Sequence, residues 1–197
     1  MQIIIFGFLL ILYFLLHSTL AHHKVKTFLI NKWVSKKYYR LLFNFIAVGS
    51  LISLYLFYQK IEASFLFVNV LLQYLGFGIA AIGGLLLLVA LSQYNLAEFA
   101  GTQQLKQITP LLVASLKTSG FNSIVRHPLY FAGLIIILGG FLLRPTDLVL
   151  MLSLVSTAYL YFGTKLEEEK LVMEFGEAYL EYQKKVGMLL PFKILKN

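Results

Sequence analysis

Three short stretches toward the C-terminal end carry residue types that do chemistry. Arg126-His127-Pro128-Leu129-Tyr130 sets a guanidinium and an imidazole directly before a proline. Proline suits the first turn of a helix, where its missing N–H leaves no bond unmade. Arg126 and His127 then donate hydrogen bonds at a helix N-terminus, whose open N–H groups also favour anions. Glu167-Glu168-Glu169 offers carboxylates to a cation, an amino group or ribose hydroxyls. Phe175-Gly176-Glu177-Ala178-Tyr179-Leu180-Glu181-Tyr182 spaces aromatic rings four and three residues apart. Such rings can wall a flat adenine or a sulfonium, since electron-rich faces attract cations. Each stretch also has a plain structural reading: an interfacial anchor with a belt tyrosine, a solvated acidic cap, and helix packing.

The elements that must position these residues follow from composition. Of 197 residues, 59% are hydrophobic and 13% charged, where a soluble domain carries about 25% charged residues. The deficit runs along most of the chain, so a single anchor on a soluble domain does not explain it. A membrane-crossing helix needs about 20 mostly apolar residues. Candidate spans are 3–21, 41–58, 67–91, 128–143 and 148–164, the last two forming a hairpin around Arg144-Pro145-Thr146-Asp147. Residues 63–97 hold no charge, and the third span is placed within them. The pairs Gly76/Gly78 and Gly83/Gly84 sit inside that helix, where small residues let helices approach closely. No alternation suggests strands, and only helices or closed barrels span lipid.

Charge placement supports this count. With the N-terminus outside, fifteen Lys and Arg fall on inner segments, and only Lys60 and Arg144 on outer ones. That is the positive-inside pattern, with the C-terminus in the cytoplasm. The net charge of +8 sits beside apolar runs, which points to membrane lipid and not to nucleic acid. The chain has no cysteine, so disulfides, thiolate catalysis and cysteine-ligated metals are excluded. The first span lacks the basic leading segment of a signal peptide and reads as a retained helix.

Residues 94–126 are the long polar connection, read as part loop and part interfacial helix. The tail 166–186 reads as one amphipathic helix on the membrane or the bundle, with Leu171, Val172, Phe175, Ala178, Tyr179, Tyr182 and Val186 at helical spacing. The expected fold is therefore an all-α integral membrane protein, a single domain with about five transmembrane helices and a C-terminal amphipathic interfacial helix. Residues 126–130 begin one arm of the hairpin, and Glu167 and Glu168 end the other. Both groups, with the tail, fall at one membrane face.

In order and spacing these motifs resemble the isoprenylcysteine carboxyl methyltransferase superfamily, whose pattern closes with Val-Pro-x-x-Leu-Pro. That closing motif stands here as Val186-Gly187-Met188-Leu189-Leu190-Pro191. Further stretches look like its NnrU-like and methanethiol S-methyltransferase branches. They are Leu16-His17-Ser18-Thr19-Leu20-Ala21 with Val25-Lys26, then Tyr39-Arg40-Leu41-Leu42-Phe43-Asn44, and Leu96-Ala97-Glu98-Phe99-Ala100-Gly101-Thr102-Gln103-Gln104-Leu105. The resemblance implies an S-adenosyl-L-methionine-dependent methyltransferase acting on a small or lipophilic thiol taken from the membrane. It assigns cofactor binding to His127, Pro128, Tyr130, Glu167, Glu168, Tyr179 and Tyr182, catalysis to His127 and Arg126, and no metal. Transfer is an in-line displacement at a sulfonium methyl, and His127 is the nearby group suited to proton transfer at neutral pH. Three positions depart from the pattern: Ala132 for a glycine, Gly187 for the first closing proline, and Met188 for a basic residue. Loss of that basic residue favours a neutral thiol over a prenylcysteine carboxylate.

Alternatives remain at this point. The acceptor could be a prenylcysteine carboxylate or a lipid amine. His17, His22 and His23 could bind haem, as in NnrU-like relatives with a haem-binding or isomerase role, or hydrogen-bond a neighbouring helix. A non-enzymatic membrane protein is the last reading. The oligomeric state is not legible.

Overall fold

The computed structural model describes residues 1–100, 102 and 116–191, with Glu98 and Phe99 described in backbone only. Gly101, Gln103, Gln104, Leu105, Lys106 and Pro110 of the long connection lie outside the described residues. Among the described residues the regular elements are helices, accompanied by two isolated bridges. Four helices are long and apolar enough to cross a membrane: α1 Gln2–Ala21, α3 Lys36–Tyr58, α4 Val70–Leu91 and α7 Asp147–Phe175. A fifth, α6 Pro128–Leu143, is apolar but shorter. Side chains such as Phe45, Tyr74 and Phe162 are largely exposed in mid-helix. Water would not tolerate so continuous an apolar surface, whereas hydrocarbon does. The protein is an all-α integral membrane protein with about five spans.

The described chain falls into two compact units. The first contains α1, α2 His23–Lys32, α3 and the short α5 Leu96–Ala100. His22, in an extended conformation, separates α1 from α2. α1 runs antiparallel to α3, with Phe6 against Tyr58 at one end and His17 against Phe43 at the other. The Tyr39 hydroxyl ties the two by donating to the Leu20 carbonyl at 2.6 Å.

The second unit contains α4, a 3-10 turn Gly120–Ser123, α6, α7 and α8 Glu177–Lys185. α4 and α6 lie antiparallel and almost backbone to backbone. A Cβ on Gly139 would come within 2.4 Å of the Ala80 nitrogen, and one on Gly76 within 2.4 Å of the Leu143 nitrogen. Gly83 is also tight, a Cβ there falling 2.8 Å from the Ile136 nitrogen. The glycine reading therefore splits: Gly76 and Gly83 form the close seam, while Gly78 and Gly84 have open space beside them. At the far end, Leu66 donates to the Pro145 carbonyl at 2.9 Å, and Phe65 bridges Thr146. Thr146 also caps α7 by accepting from the Val149 N–H at 3.2 Å.

The tail differs from the single amphipathic helix expected over 166–186. α7 continues without a break through Phe175, about 43 Å at 1.5 Å per residue. That exceeds the roughly 30 Å of hydrocarbon. The stretch from Lys165 onward, dense in Lys and Glu, is the part that projects beyond the membrane. Nothing between 164 and 175 breaks a helix, so Glu167 and Glu168 lie inside α7 and not after it. The break comes at Gly176, whose φ of 55° and ψ of −131° belong to glycine alone. It turns the chain so that α8 folds back on the projecting end of α7.

Candidate active site

The hairpin register places the site. Gly133 on α6 faces Leu160 on α7, and six residues further along each arm bring His127 level with residue 166. Arg126 and His127 are fixed from the other side by the chain that follows α8. Val125 bridges Gly187 in parallel fashion. The Arg126 N–H donates to the Gly187 carbonyl at 2.9 Å, and the His127 N–H to the Met188 carbonyl at 3.2 Å. Both backbone acceptors come from positions where this sequence departs from the closing motif. A carbonyl does this work whatever the side chain, so the departures leave the pairing intact.

Around this frame five donors converge on one carboxylate. Glu168 receives Arg126 Nε at 2.9 Å and Nη2 at 2.6 Å, a bidentate pair. His127 Nε2 lies 2.7 Å from its Oε1, the Tyr179 hydroxyl 2.5 Å from the same oxygen, and Gln183 Nε2 2.6 Å from Oε2. Arg126 Nη1 meanwhile donates to the carbonyls of Gln183, at 3.3 Å, and Val186. These are acceptors left open at the end of α8, where a cation is favoured. Glu168, His127 and Tyr179 are buried, Tyr179 almost completely. A buried carboxylate is tolerated only when its lone pairs are met, and here they are.

Charge follows from that packing. Burial opposes ionisation of Glu168, but the bonds from His127, Arg126 and Tyr179 outweigh it and hold the carboxyl well below its usual range. Burial likewise works against His127, yet Glu167 and Glu168 prevail and raise its pKa above 6.5. Burial and the bond to Glu168 push the Tyr179 phenol far above its ordinary value of 10. Burial pushes Tyr182 up to about 12.

The residues singled out in the sequence are not all in one place. Arg126, His127, Glu168 and Tyr179 form the polar knot. Glu167 lies beside it, its Oε2 3.6 Å from His127 Nδ1, an ionic distance and not a hydrogen bond. That oxygen is buried with no hydrogen-bond partner among the described residues. Pro128 opens α6 as expected, and the Tyr130 ring meets the His127 ring edge-on at 5.7 Å. Tyr182 stacks T-shaped on Tyr179, but its hydroxyl turns away to the Asn122 carbonyl. Ala132, where the family pattern has glycine, is completely buried.

Sequence reasoning missed Gln183. The visible signal was a polar residue four positions after Tyr179, hence on its face of α8. Among the described residues His17 Nδ1 is buried without a hydrogen-bond partner. Its ring lies tilted against Phe43, with 5.0 Å between ring centres. Among the described residues no group of three His, Cys, Asp or Glu is placed to hold a metal ion.

The sequence profile of the phospholipid methyltransferase family matches residues 71–178, more than half the chain, from the glycine seam through Arg126, His127 and Glu168 to the start of α8. The chain belongs to that family. Methanethiol S-methyltransferases are among the curated proteins similar to this chain. The one from Pseudomonas deceptionensis is 39% identical over 112 residues, which is 55% of this chain and 41% of the relative. The one from Crocosphaera subtropica is 33% identical over 134 residues, 64% of this chain and 50% of the relative. The chain thus matches half or less of the length of these relatives. No solved structure matches. The motif resemblance to the methanethiol branch agrees with the names of these relatives.

Proposed function

We propose that this protein is a membrane-embedded, S-adenosyl-L-methionine-dependent methyltransferase whose acceptor is a small or lipophilic thiol. The observation that carries the reading is the buried Glu168 carboxylate with Arg126, His127 and Tyr179 gathered on it, the first three inside the segment that matches the family and Tyr179 directly after it. The fit to the cofactor rests on Glu167. Its Oε2 is buried, ionised and without a hydrogen-bond partner among the described residues, an acceptor suited to a ribose hydroxyl or an amino group. Tyr130, which is only partly buried, offers an aromatic face nearby. When bound, the cofactor supplies an electrophilic methyl group on a sulfonium.

That methyl would pass in line to the acceptor sulfur while Glu167 holds the donor, the bonding pair staying with the donor sulfur as it leaves as a neutral thioether. Alignment and exclusion of water are the protein's main contributions. His127 can take the thiol's proton only as the neutral imidazole, and both neighbouring carboxylates stabilise the charged form. We therefore assign His127 to holding the site's shape and charge, and the acceptor enters as its thiolate, the proton already lost to water. Met188, in place of a basic residue, leaves a simple thiol favoured over an acceptor that bears a carboxylate. Fifteen of the 17 basic residues fall on the same side as the knot in an N-out, C-in arrangement. On that reading the site opens to the cytoplasm, where a soluble cofactor is found.

Calorimetric titration of the detergent-purified full chain with S-adenosyl-L-methionine tests the proposal. Saturable binding is expected, with Glu168→Ala and His127→Ala each weakening it about tenfold or more, about 1.4 kcal/mol. No binding by the wild type would sink the methyltransferase reading. Wild-type affinity in both variants would sink the site and leave family membership standing. Methyl-labelled cofactor offered with thiols, prenylcysteines and ethanolamine lipids then identifies the acceptor, with label expected on the thiols.

A further inference from the structure

The first unit contains a feature that methyl transfer does not use. Between α1, α2 and α3 lies a cavity of about 290 Å³, walled by Leu20, Leu29, Trp33, Leu42, Phe43 and Ile46. The one hydroxyl on its wall, that of Tyr39, is already engaged with the Leu20 carbonyl. The space therefore presents hydrocarbon. Its size is near the lower end of small-molecule sites, about 300 Å³, enough for part of an acyl chain and not for a whole lipid.

The three helices that wall this cavity carry charge of one sign only. The first 61 residues contain no Asp or Glu, while Lys24, Lys26, Lys32, Lys36, Lys37 and Arg40 cluster over α2 and the start of α3. Arg40 is closest to the cavity, its guanidinium carbon 5.4 Å from the centre of the Phe43 ring that forms part of the wall. Lys36 and Lys37 begin α3, and Ser35 before them makes no side-chain cap bond. The first N–H groups of a 23-residue helix thus add their positive field to the lysines. An apolar slot topped by cations is complementary to a molecule with a hydrocarbon chain and an anionic head.

We propose that the first unit carries a binding site for one anionic phospholipid. Its acyl chain occupies the cavity beside Trp33, and its headgroup phosphate lies on Lys36, Lys37 and Arg40. A methyl-accepting thiol is the poorer occupant, because the walls hold nothing to orient a sulfur and the cations select a fixed negative charge. The site lies in a different unit from the Glu168 knot and does not depend on the assignment of methyl transfer.

Trp33 is the only tryptophan in the chain, so its fluorescence reports this cavity directly. The full chain, in micelles containing phosphatidylcholine, is titrated with phosphatidylglycerol brominated on the acyl chain. Parallel titrations use brominated phosphatidylcholine and brominated diacylglycerol. Phosphatidylglycerol is expected to half-quench Trp33 at a mole fraction about tenfold lower than either control, given the strength of polybasic attraction to anionic lipid. Lys36→Gln/Lys37→Gln, and separately Arg40→Gln, should each bring phosphatidylglycerol to within about twofold of phosphatidylcholine. The lysine pair carries the test if the arginine variant fails to fold. Leu42→Phe should weaken quenching by filling the slot. Equal quenching by all three lipids, or an undiminished preference in the lysine variant, would overturn the proposal. So would displacement of the brominated lipid by dodecanethiol at a lower mole fraction than by unlabelled phosphatidylglycerol.

Discussion

The α4–α6 seam and the Glu168 knot lie in the same unit and are held by opposite means. The seam is made by what is missing. Gly76, Gly83 and Gly139 let two backbones approach until no side chain fits between them, and only dispersion holds them. The knot is made by excess, with five hydrogen bonds from four side chains closing on one carboxylate. A seam of that kind has no slack, because any added atom meets backbone. A knot with several donors loses them one at a time. The seam therefore governs whether the helices assemble, and the knot governs what the assembled site can hold and at what pH.

The sharpest way to break the comparison is to fill the seam. In Gly139→Val, the new Cβ would fall 2.4 Å from the Ala80 nitrogen and 2.8 Å from the Gly76 carbonyl oxygen. Neither atom can rotate away, so α4 and α6 must separate. The expected loss is about 3 kcal/mol or more, read as a lower thermal midpoint in detergent and poor recovery of folded protein. Gly140→Ala, one residue on and facing open space, should remain near wild type. If Gly139→Val melts with the wild type, the close seam is wrong.

These two regions were legible in the sequence to different degrees. The seam's glycines stood out inside an apolar run, but sequence alone did not separate Gly76 and Gly83 from Gly78 and Gly84, because which face meets α6 depends on the partner helix. The knot's principal members were found through motif order and hairpin register. Glu168 and Tyr179, eleven residues apart, fall near one face of a continuous helix, and they do meet, although through a fold-back at Gly176 and not along one helix. Gly176 itself was visible, but a glycine in a helical pattern signals a break only when tertiary contacts reward one. The pairing of 125–127 with 186–188 left no trace, since it runs through backbone atoms that every residue has. Gln183 was hidden for a related reason: a glutamine on an amphipathic helix looks like solvent-facing polarity until its carboxylate partner is located.

The knot should show a pH window that the seam lacks. Glu168 has its pKa lowered from 4.5, so its stabilisation is present above about pH 4.5 and is lost as pH falls toward the depressed value. His127 has its pKa raised from 6.5, so its contribution is complete below about pH 6.5 and fades as pH rises through the raised value. The two together place maximal knot stability between about 4.5 and 6.5. Thermal midpoints of wild type and His127→Gln, measured from pH 4 to 9, check this. The gap between them should be widest near pH 6 and narrow toward pH 9. A gap independent of pH would mean that His127 is held neutral.

The smallest effect separates a redundant knot from a cooperative one. Gln183→Leu removes one donor from Glu168 Oε2, at 2.6 Å, while leaving that oxygen its bond from Arg126 Nη2. A hydrogen bond to a charged group contributes about 1.5–3 kcal/mol when nothing replaces it. Here Gln183 is only half-buried and Arg126 remains in place, so about 1 kcal/mol is expected. The Gln183 backbone carbonyl still accepts from Arg126 in the variant, so the end of α8 keeps its cation. Chemical denaturation of the two proteins measures the difference. In a double-mutant cycle with Tyr179→Phe, which removes the 2.5 Å bond to the other carboxylate oxygen, the losses should add within about 0.5 kcal/mol if each donor acts alone. A coupling well above that would show that the carboxylate needs its donors together. The knot would then resemble the seam, an all-or-none contact made from polar atoms.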